Sequence, residues 1–417
     1  MSDPSIASFK WPFHSLDELC TSITDGSHFS PVPQESGRCI ANVKDMRDGC
    51  IDLKSCTKIS ERDFDNLCKN GCLPKYDDIL LSKDGTIGRV VIYRQSEKIV
   101  VLSSIAILGA SPRVNPRFLG QVLRSFVFSQ QVESYKSGSA LRRLVLRDIR
   151  KLRIPLPPLH EQRHIAEILD TIDEAIQKTE ALISKLKAMK QGLLHDLLTR
   201  GLDKNGKLRD SKAHPEQFKD SPLGRIPKDW GNISLGELAN FESGYAFKDH
   251  ELTKYGTKVV RISNLHKSDF YYWRYSGPIK QSWTVLDGDL LFSWAGVASS
   301  IDVYLYRGEM ALLNQHIYNL KVPDQITKNW LYHYLQYYLP TLRRSIEGGA
   351  GQLHLTKEKI QNIIVPVPPK DELREILRSL VIHDARIRTE EQYRDKLKLQ
   401  KKGLMHDLLT GKVRVKV

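Results

Sequence analysis

From Ile165 onward, apolar side chains fall at Ile168, Leu169, Ile172, Ile176, Ile183, Leu186 and Leu193, the three-and-four spacing of one helix face. Written as heptads, the a positions are 165, 172, 179, 186 and 193, and only Thr179 is polar. A weaker stripe runs through Ile376, Leu377, Leu380, Ile387, Leu397, Leu404 and Leu408, interrupted by His383, Glu390 and Arg394. Each pattern predicts a helix of about 40 residues, about 60 Å long. Two apolar stripes of equal length bury each other most simply as a helical pair.

The stretches before each helix follow a different rhythm. Short β-rich runs are parted by Gly, Asp, Asn and Ser: "DDILLSKDGTIGRVVIYR" and "KIVVLSSIAIL" first, then "TKVVRISNL", "GDLLFSW" and "HIYNLKV". "NPRFLGQVLRSFVFSQQVESY" and "ITKNWLYHYLQYYLPTLRRSI" each predict one amphipathic helix. The expected fold class is therefore mixed α/β (α+β). Its order is a domain over 1–158, a helix over 159–202, a domain over 203–369 and a helix over 370–412. Residues 203–229 are polar and apolar-poor, and read as a connector.

The chain also repeats itself. "KQGLLHDLLTRG" returns as "KKGLMHDLLTGK", so that Gly192 maps to Gly403, and Pro155 maps to Pro366 at the same separation of 211. Trp11 maps to Trp230 at 219, so the first copy is the longer between these anchors. One large unit is written twice, at a period far too long for a solenoid.

The repeat tests a motif that otherwise suggests zinc. His160 to His164 spell H-E-x-x-H, the arrangement by which a zinc peptidase holds metal and activates water. The second copy keeps Glu161 as Glu372 and Arg163 as Arg374 but has Asp371 and Glu375 where the histidines stood. Prolines before a first turn, then acidic residues at the positive end of a helix, account for both copies without metal. His195–Asp196 and His406–Asp407 also recur, and are read as helix surface contacting a partner rather than as acid-base chemistry.

Charge narrows the partner. Lys and Arg number 63 against 49 Asp and Glu, a formal charge of +14, which favours a polyanion. The N-terminus lacks a signal layout and no apolar run approaches a spanning helix, so a cytoplasmic protein with no membrane partner is expected. Cys20, Cys39, Cys50, Cys56, Cys68 and Cys72 form no C-x-x-C pair and read as free thiols, a metal site at Cys68 and Cys72 being the alternative.

Taken together, "IPLPPLHEQRHIAEILDTIDEAI", the pair "KQGLLHDLLTRGL" and "KKGLMHDLLTGKV", "LGRIPKDWGNISLGELANFESGYAF" and the order domain, helix, domain, helix resemble the specificity subunits of type I restriction-modification enzymes over nearly the whole chain. The resemblance implies two target-recognition domains, each reading half of an interrupted, asymmetric DNA site, separated by two long helices packed as an antiparallel coiled coil. It implies double-stranded DNA, two modification (methyltransferase) subunits and restriction or motor subunits as partners, in a bacterial or archaeal cell. No catalysis or cofactor is implied on this chain; S-adenosylmethionine, ATP and Mg2+ belong to the partner subunits. The absence of G-x-x-x-x-G-K-[ST], of G-x-G-x-x-G and of an Asn- or Asp-Pro-Pro-aromatic segment agrees. The alternative is a stand-alone duplicated DNA-binding or scaffold protein.

Phosphate contacts call for Lys, Arg and glycine-rich backbone; base edges call for Asn, Gln, Arg and short polar groups. In the first domain the candidates are Ser27, His28, Lys44, Lys83 and the loop bearing Lys136, Ser139, Arg142 and Arg143. In the second they are Tyr245, Lys248, Arg261, Asn264, Trp294, Asn314, Gln315, His316 and Gln352. "FYYWRYSG" is read as an aromatic strand packed on the core, a stacking platform being the alternative.

Overall fold

The computed structural model describes residues 9–47, 49–134, 143–266, 271–346 and 353–415. Its contacts divide the chain into two compact units, Met1–Glu180 with Gln392–Val417, and Ala181–Glu391. Each unit holds one mixed α/β domain and part of both long helices, Leu159–Thr199 and Lys370–Leu409.

In the first domain a four-stranded antiparallel sheet runs in the order Cys20–Asp25, Ile105–Ala110, Ile79–Ser82, Val90–Ile92. Ile79–Ser82 is buried throughout because both of its faces are covered, which is why it reads as an unbroken apolar run. Ile79 and Leu81 face a core with Leu16, Phe118 and Ile154, while Leu80 faces Cys39, Tyr93 and Val101. The second face is closed by a three-stranded sheet of Thr57–Ile59, Arg38–Ala41 and Ile99–Val101.

The second domain repeats this plan. Asn240–Ser243, Ile317–Lys321, Leu290–Ser293 and Asp302–Leu305 form the four-stranded sheet, with Leu290 and Phe292 on one face and Leu291 on the other. Its companion sheet has five strands, ordered Leu252–Thr253, Trp273–Tyr275, Thr257–Val260, Ala311–Leu313, Thr284–Val285. The capping turns repeat as well: the hydroxyls of Ser15 and Ser234 accept from the amides of Glu18 and Glu237.

Three local expectations change. The amphipathic segment of the first domain is two helices, Pro116–Leu123 and Phe126–Ser134, whereas its counterpart Gln325–Ile346 is continuous. Residues 203–229 are not a bare connector: Phe218–Ser221 pairs with Gly224–Pro227, and Phe218 and Ile226 are buried. Finally, Ile168 is exposed while Ala166 is buried, so the seam is shifted from the heptad drawn from apolar residues alone. Ile165, Leu186, Ile376, Leu380, Ile387 and Leu397 are buried as expected; Ile172, Leu193 and Leu404 are partly covered. Thr179 is buried with its hydroxyl donated to the carbonyl of Ala175, so it does not break the stripe.

The helices pair antiparallel, and ion pairs join them in both units. In the first unit Lys401 meets Asp173 at 2.6 Å and Lys398 meets Glu180 at 2.7 Å. In the second unit Lys190 meets Asp384 at 2.5 Å and Lys187 meets Glu391 at 2.6 Å. Adding 211 to Lys187, Lys190, Asp173 and Glu180 gives Lys398, Lys401, Asp384 and Glu391, so one set of pairs maps onto the other.

The H-E-x-x-H segment has a structural role. His160 and His164 point to solvent, while Glu161 is buried and accepts from the guanidinium of Arg414. Gln162 is buried too; it accepts from the amide of Asn115 and donates to the carbonyls of Arg113 and Pro157. In the second unit Glu372 takes the place of Glu161 and accepts from Arg209. His195 and His406 also have partners within their own units: the His195 ring lies against Tyr337 and the His406 ring against Phe126.

Candidate nucleic-acid interface

Each domain contains a place where two backbone segments run unusually close. Gly26 lies against Val101, and a Cβ added there would stand 2.0 Å from the Val101 carbonyl oxygen. Gly244 lies against Leu313, and its Cβ would stand 2.2 Å from that carbonyl. Only glycine permits such an approach. The next residue in each case forms an isolated parallel bridge, Ser27 with Leu102 and Tyr245 with Asn314. Ser27 and Tyr245 donate their amides to Val101 and Leu313 and accept from the amides of Ser103 and Gln315.

The frame extends to the end of the central strand. Lys83 donates its amide to the carbonyl of Ser104, and Trp294 does the same to His316. Lys83 and Trp294 then accept from the amides of Leu144 and Leu355. Ser27, Lys83, Ser103 and Ser104 in the first domain thus occupy the backbone positions of Tyr245, Trp294, Gln315 and His316 in the second. One scaffold carries two unlike sets of side chains.

In the second domain Tyr245, Trp294, Asn314, Gln315 and His316 are brought together. The Tyr245 ring stacks on Trp283 at 4.2 Å between centroids, and its hydroxyl donates to Glu251. The Glu251 carboxylate pushes the Tyr245 phenol above its usual pKa. Trp294 stacks on Tyr318 and meets His316 edge to face, while Gln315 and His316 approach each other at 3.2 Å. Arg261 lies over the Trp273 ring, 5.5 Å from its centroid, and burial lowers the guanidinium pKa. Asn264 is buried; it accepts from the amide of Arg261 and donates to the carbonyl of Tyr271, which fixes a turn rather than presenting an amide to solvent. Lys248 is exposed. In the aromatic strand Tyr275 is buried, but Tyr271 and Trp273 are exposed, so only part of that segment packs on the core.

In the first domain the set is smaller. Ser27 is buried, its hydroxyl donating to the carbonyl of Phe29, while His28 is exposed and lies 3.4 Å from Asp25. Lys83 is 2% exposed and held by Asp25 at 3.3 Å and Asp84 at 3.1 Å. Arg143 is exposed and pairs with Asp84 at 3.0 Å; Lys44 is exposed on a short 3-10 turn. Lys136, Ser139, Arg142 and Gln352 lie outside the described residues. Reading the sequence missed Trp283, Ser103 and Ser104. The first is an isolated tryptophan without periodicity, and the serines become visible only when the repeats are superposed by hydrogen bonds.

Among the described residues no group of His, Cys, Asp or Glu is arranged to hold a metal ion, and no helix is long and apolar enough to cross a membrane.

A family model described as the type I restriction modification DNA specificity domain matches residues 10–188 and again 227–399. A putative type I restriction enzyme MjaX specificity subunit from Methanocaldococcus jannaschii is 24% identical over 422 residues, spanning 97% of this chain and 94% of that one. The EcoBI specificity subunit of Escherichia coli is 30% identical over 158 residues, 37% of this chain and 32% of that one. Among solved structures, the S subunit of a type I restriction-modification system from M. genitalium superposes with a TM-score of 0.57 at 16% identity, covering 98% of each chain. A chain from a structure described as addressing assembly and conformational transition of the type I system gives 0.53 at 17% identity, covering 97% and 98%. These two share the fold.

Proposed function

Because the chain belongs to the type I restriction-modification DNA specificity subunits, we propose that each of its domains reads one half of a bipartite, asymmetric duplex site through the glycine-framed turn just described. The observation that carries this reading is the repeated frame with unlike side chains. Tyr245, Asn314, Gln315 and His316 stand where the first domain has Ser27, Leu102, Ser103 and Ser104. Side chains of different reach and hydrogen-bonding pattern on one backbone frame select different bases. Such a pair of readers specifies a site whose halves differ.

The two helices, 41 and 40 residues long, set the distance between the readers and dock two modification subunits. Readers on one side of B-DNA work about one turn apart, about 34 Å. The chain itself performs no catalysis and carries no cofactor. S-adenosylmethionine, and ATP with Mg2+, enter with the modification and motor subunits, in the cytoplasm. The surplus of basic residues supplies the sequence-independent part of duplex affinity.

The test is purification of the tagged chain from its host with identification of co-purifying proteins, together with a map of methylated adenines with and without the gene. Recovery of a methyltransferase and loss of methylation at one interrupted asymmetric motif is the expected result. A chain that purifies alone and leaves the map intact is instead a stand-alone binding protein or scaffold.

A further inference from the structure

Three arginines of the first domain, Arg47, Arg89 and Arg124, converge on a cavity of about 380 Å³ whose other lining residues are Met46, Gly88 and Val90. Each guanidinium is held by backbone carbonyls. Arg89 donates to Val43 and Met46 at 3.3 and 3.0 Å, Arg47 to Lys44 at 2.5 Å, and Arg124 to Val90 at 3.0 Å. Asp52 lies 3.4 Å from Arg47, and among the described residues no carboxylate lines the cavity. Three fixed cations around one opening repel each other unless an anion sits among them, and planar guanidinium donors suit phosphate oxygens.

The second domain does not repeat the cation at the Arg89 position. Arg89 donates its amide to the Ser82 hydroxyl at 2.8 Å, and in the second domain Asp302 makes the same bond to Ser293 at 2.9 Å. Where the first domain has a cation, the second has a carboxylate, itself paired with Arg343 at 3.3 Å. Arg89 closes the loop that begins at Lys83, its carbonyl accepting from the amide of Ser82.

We propose that Arg47, Arg89 and Arg124 form a phosphate-binding pocket of the first domain that takes a backbone phosphodiester of the duplex. The proposal rests on the DNA-reading function above. The chemistry recognised is a phosphate oxyanion, from a duplex or from free phosphate.

The experiment measures duplex affinity of the full chain, with the partners that co-purify, across a series of salt concentrations. The comparison is wild type against Arg47→Gln with Arg124→Gln, with melting temperature as a control for folding. Loss of phosphate contacts lowers the slope of log K against log salt by about 0.9 per contact and weakens specific and unrelated duplexes alike. The counterpart Arg343→Gln in the second domain leaves that slope in place. A wild-type slope retained in the folded double variant overturns the pocket while leaving the reading of DNA intact. Wild-type protein that binds no duplex overturns both. Stabilisation of the wild type by inorganic phosphate, abolished in the variant without any change in salt slope, assigns the pocket to free phosphate and overturns the duplex contact.

Discussion

Glu372 accepts from both edges of Arg209, at 2.6 and 2.9 Å, and also from the indole of Trp230 at 3.2 Å and the amide of Leu202 at 2.8 Å. Arg209 is 10% exposed and Glu372 9%, so removing the carboxylate leaves an indole and an amide without their acceptor and the buried cation with only the half-exposed Asp229 as counter-charge. Glu372→Ala is expected to destabilise the protein by about 3–5 kcal/mol. The repeat-equivalent Glu161→Ala is expected to cost less, because Arg414 is 55% exposed and can turn to water. Denaturant melts of the two variants check this order, and equal losses contradict it.

Lys83 neutralises Asp25 and Asp84 from a position that is 2% exposed. Lys83→Met keeps the length of the stem but removes the buried cation beside Asp25, while Asp84 keeps Arg143, and is expected to destabilise by about 3 kcal/mol. A direct DNA contact predicts instead weaker binding at unchanged melting temperature.

His333 is buried, and burial first, then the Lys190 ammonium, lower its pKa to about 4, while Asp384 opposes the shift. The unfolded ring titrates near 6.5. Its neutral form therefore contributes stability that is full above about pH 6.5 and is lost as pH falls through about 4. Over that window the unfolded chain binds the proton that the fold refuses. The loss amounts to about 3 kcal/mol, and His333→Gln should flatten the profile between those limits. A variant with the wild-type profile assigns the acid sensitivity elsewhere.

Among the cysteines Cys50 is exposed, whereas burial pushes the thiols of Cys20 and Cys56 up to about 12. Thiolate, not thiol, reacts with a disulfide reagent. Native protein is expected to label first at Cys50, with Cys20 and Cys56 reacting only on unfolding. Peptide mapping after a short exposure settles the order.

The duplication was legible because Gly192 and Gly403, Pro155 and Pro366, and Trp11 and Trp230 recur at nearly fixed separation; the Ser15 and Ser234 caps and the close approaches at Gly26 and Gly244 are repeats that the structure adds. The H-E-x-x-H segment was resolved the same way, by comparing it with Asp371 and Glu375. Ser103 and Ser104 were not legible, since short polar residues in a β-rich run look the same whether they face solvent, the core or a ligand. The burial of Lys83 was not legible for a related reason: a lysine reads as surface until two carboxylates are brought to it by the fold.

By itself, then, the sequence determined the two-fold repeat, the mixed α/β domains and the two long helices, because periodic burial and turn chemistry are local and leave a pattern at fixed spacing. Tertiary structure decided what pairs across that spacing. Glu161 with Arg414, Asp173 with Lys401 and Arg89 with the carbonyls of Val43 and Met46 join residues far apart in the chain. Charges carry no periodicity that announces their partners; only the folded backbone brings them within hydrogen-bond reach.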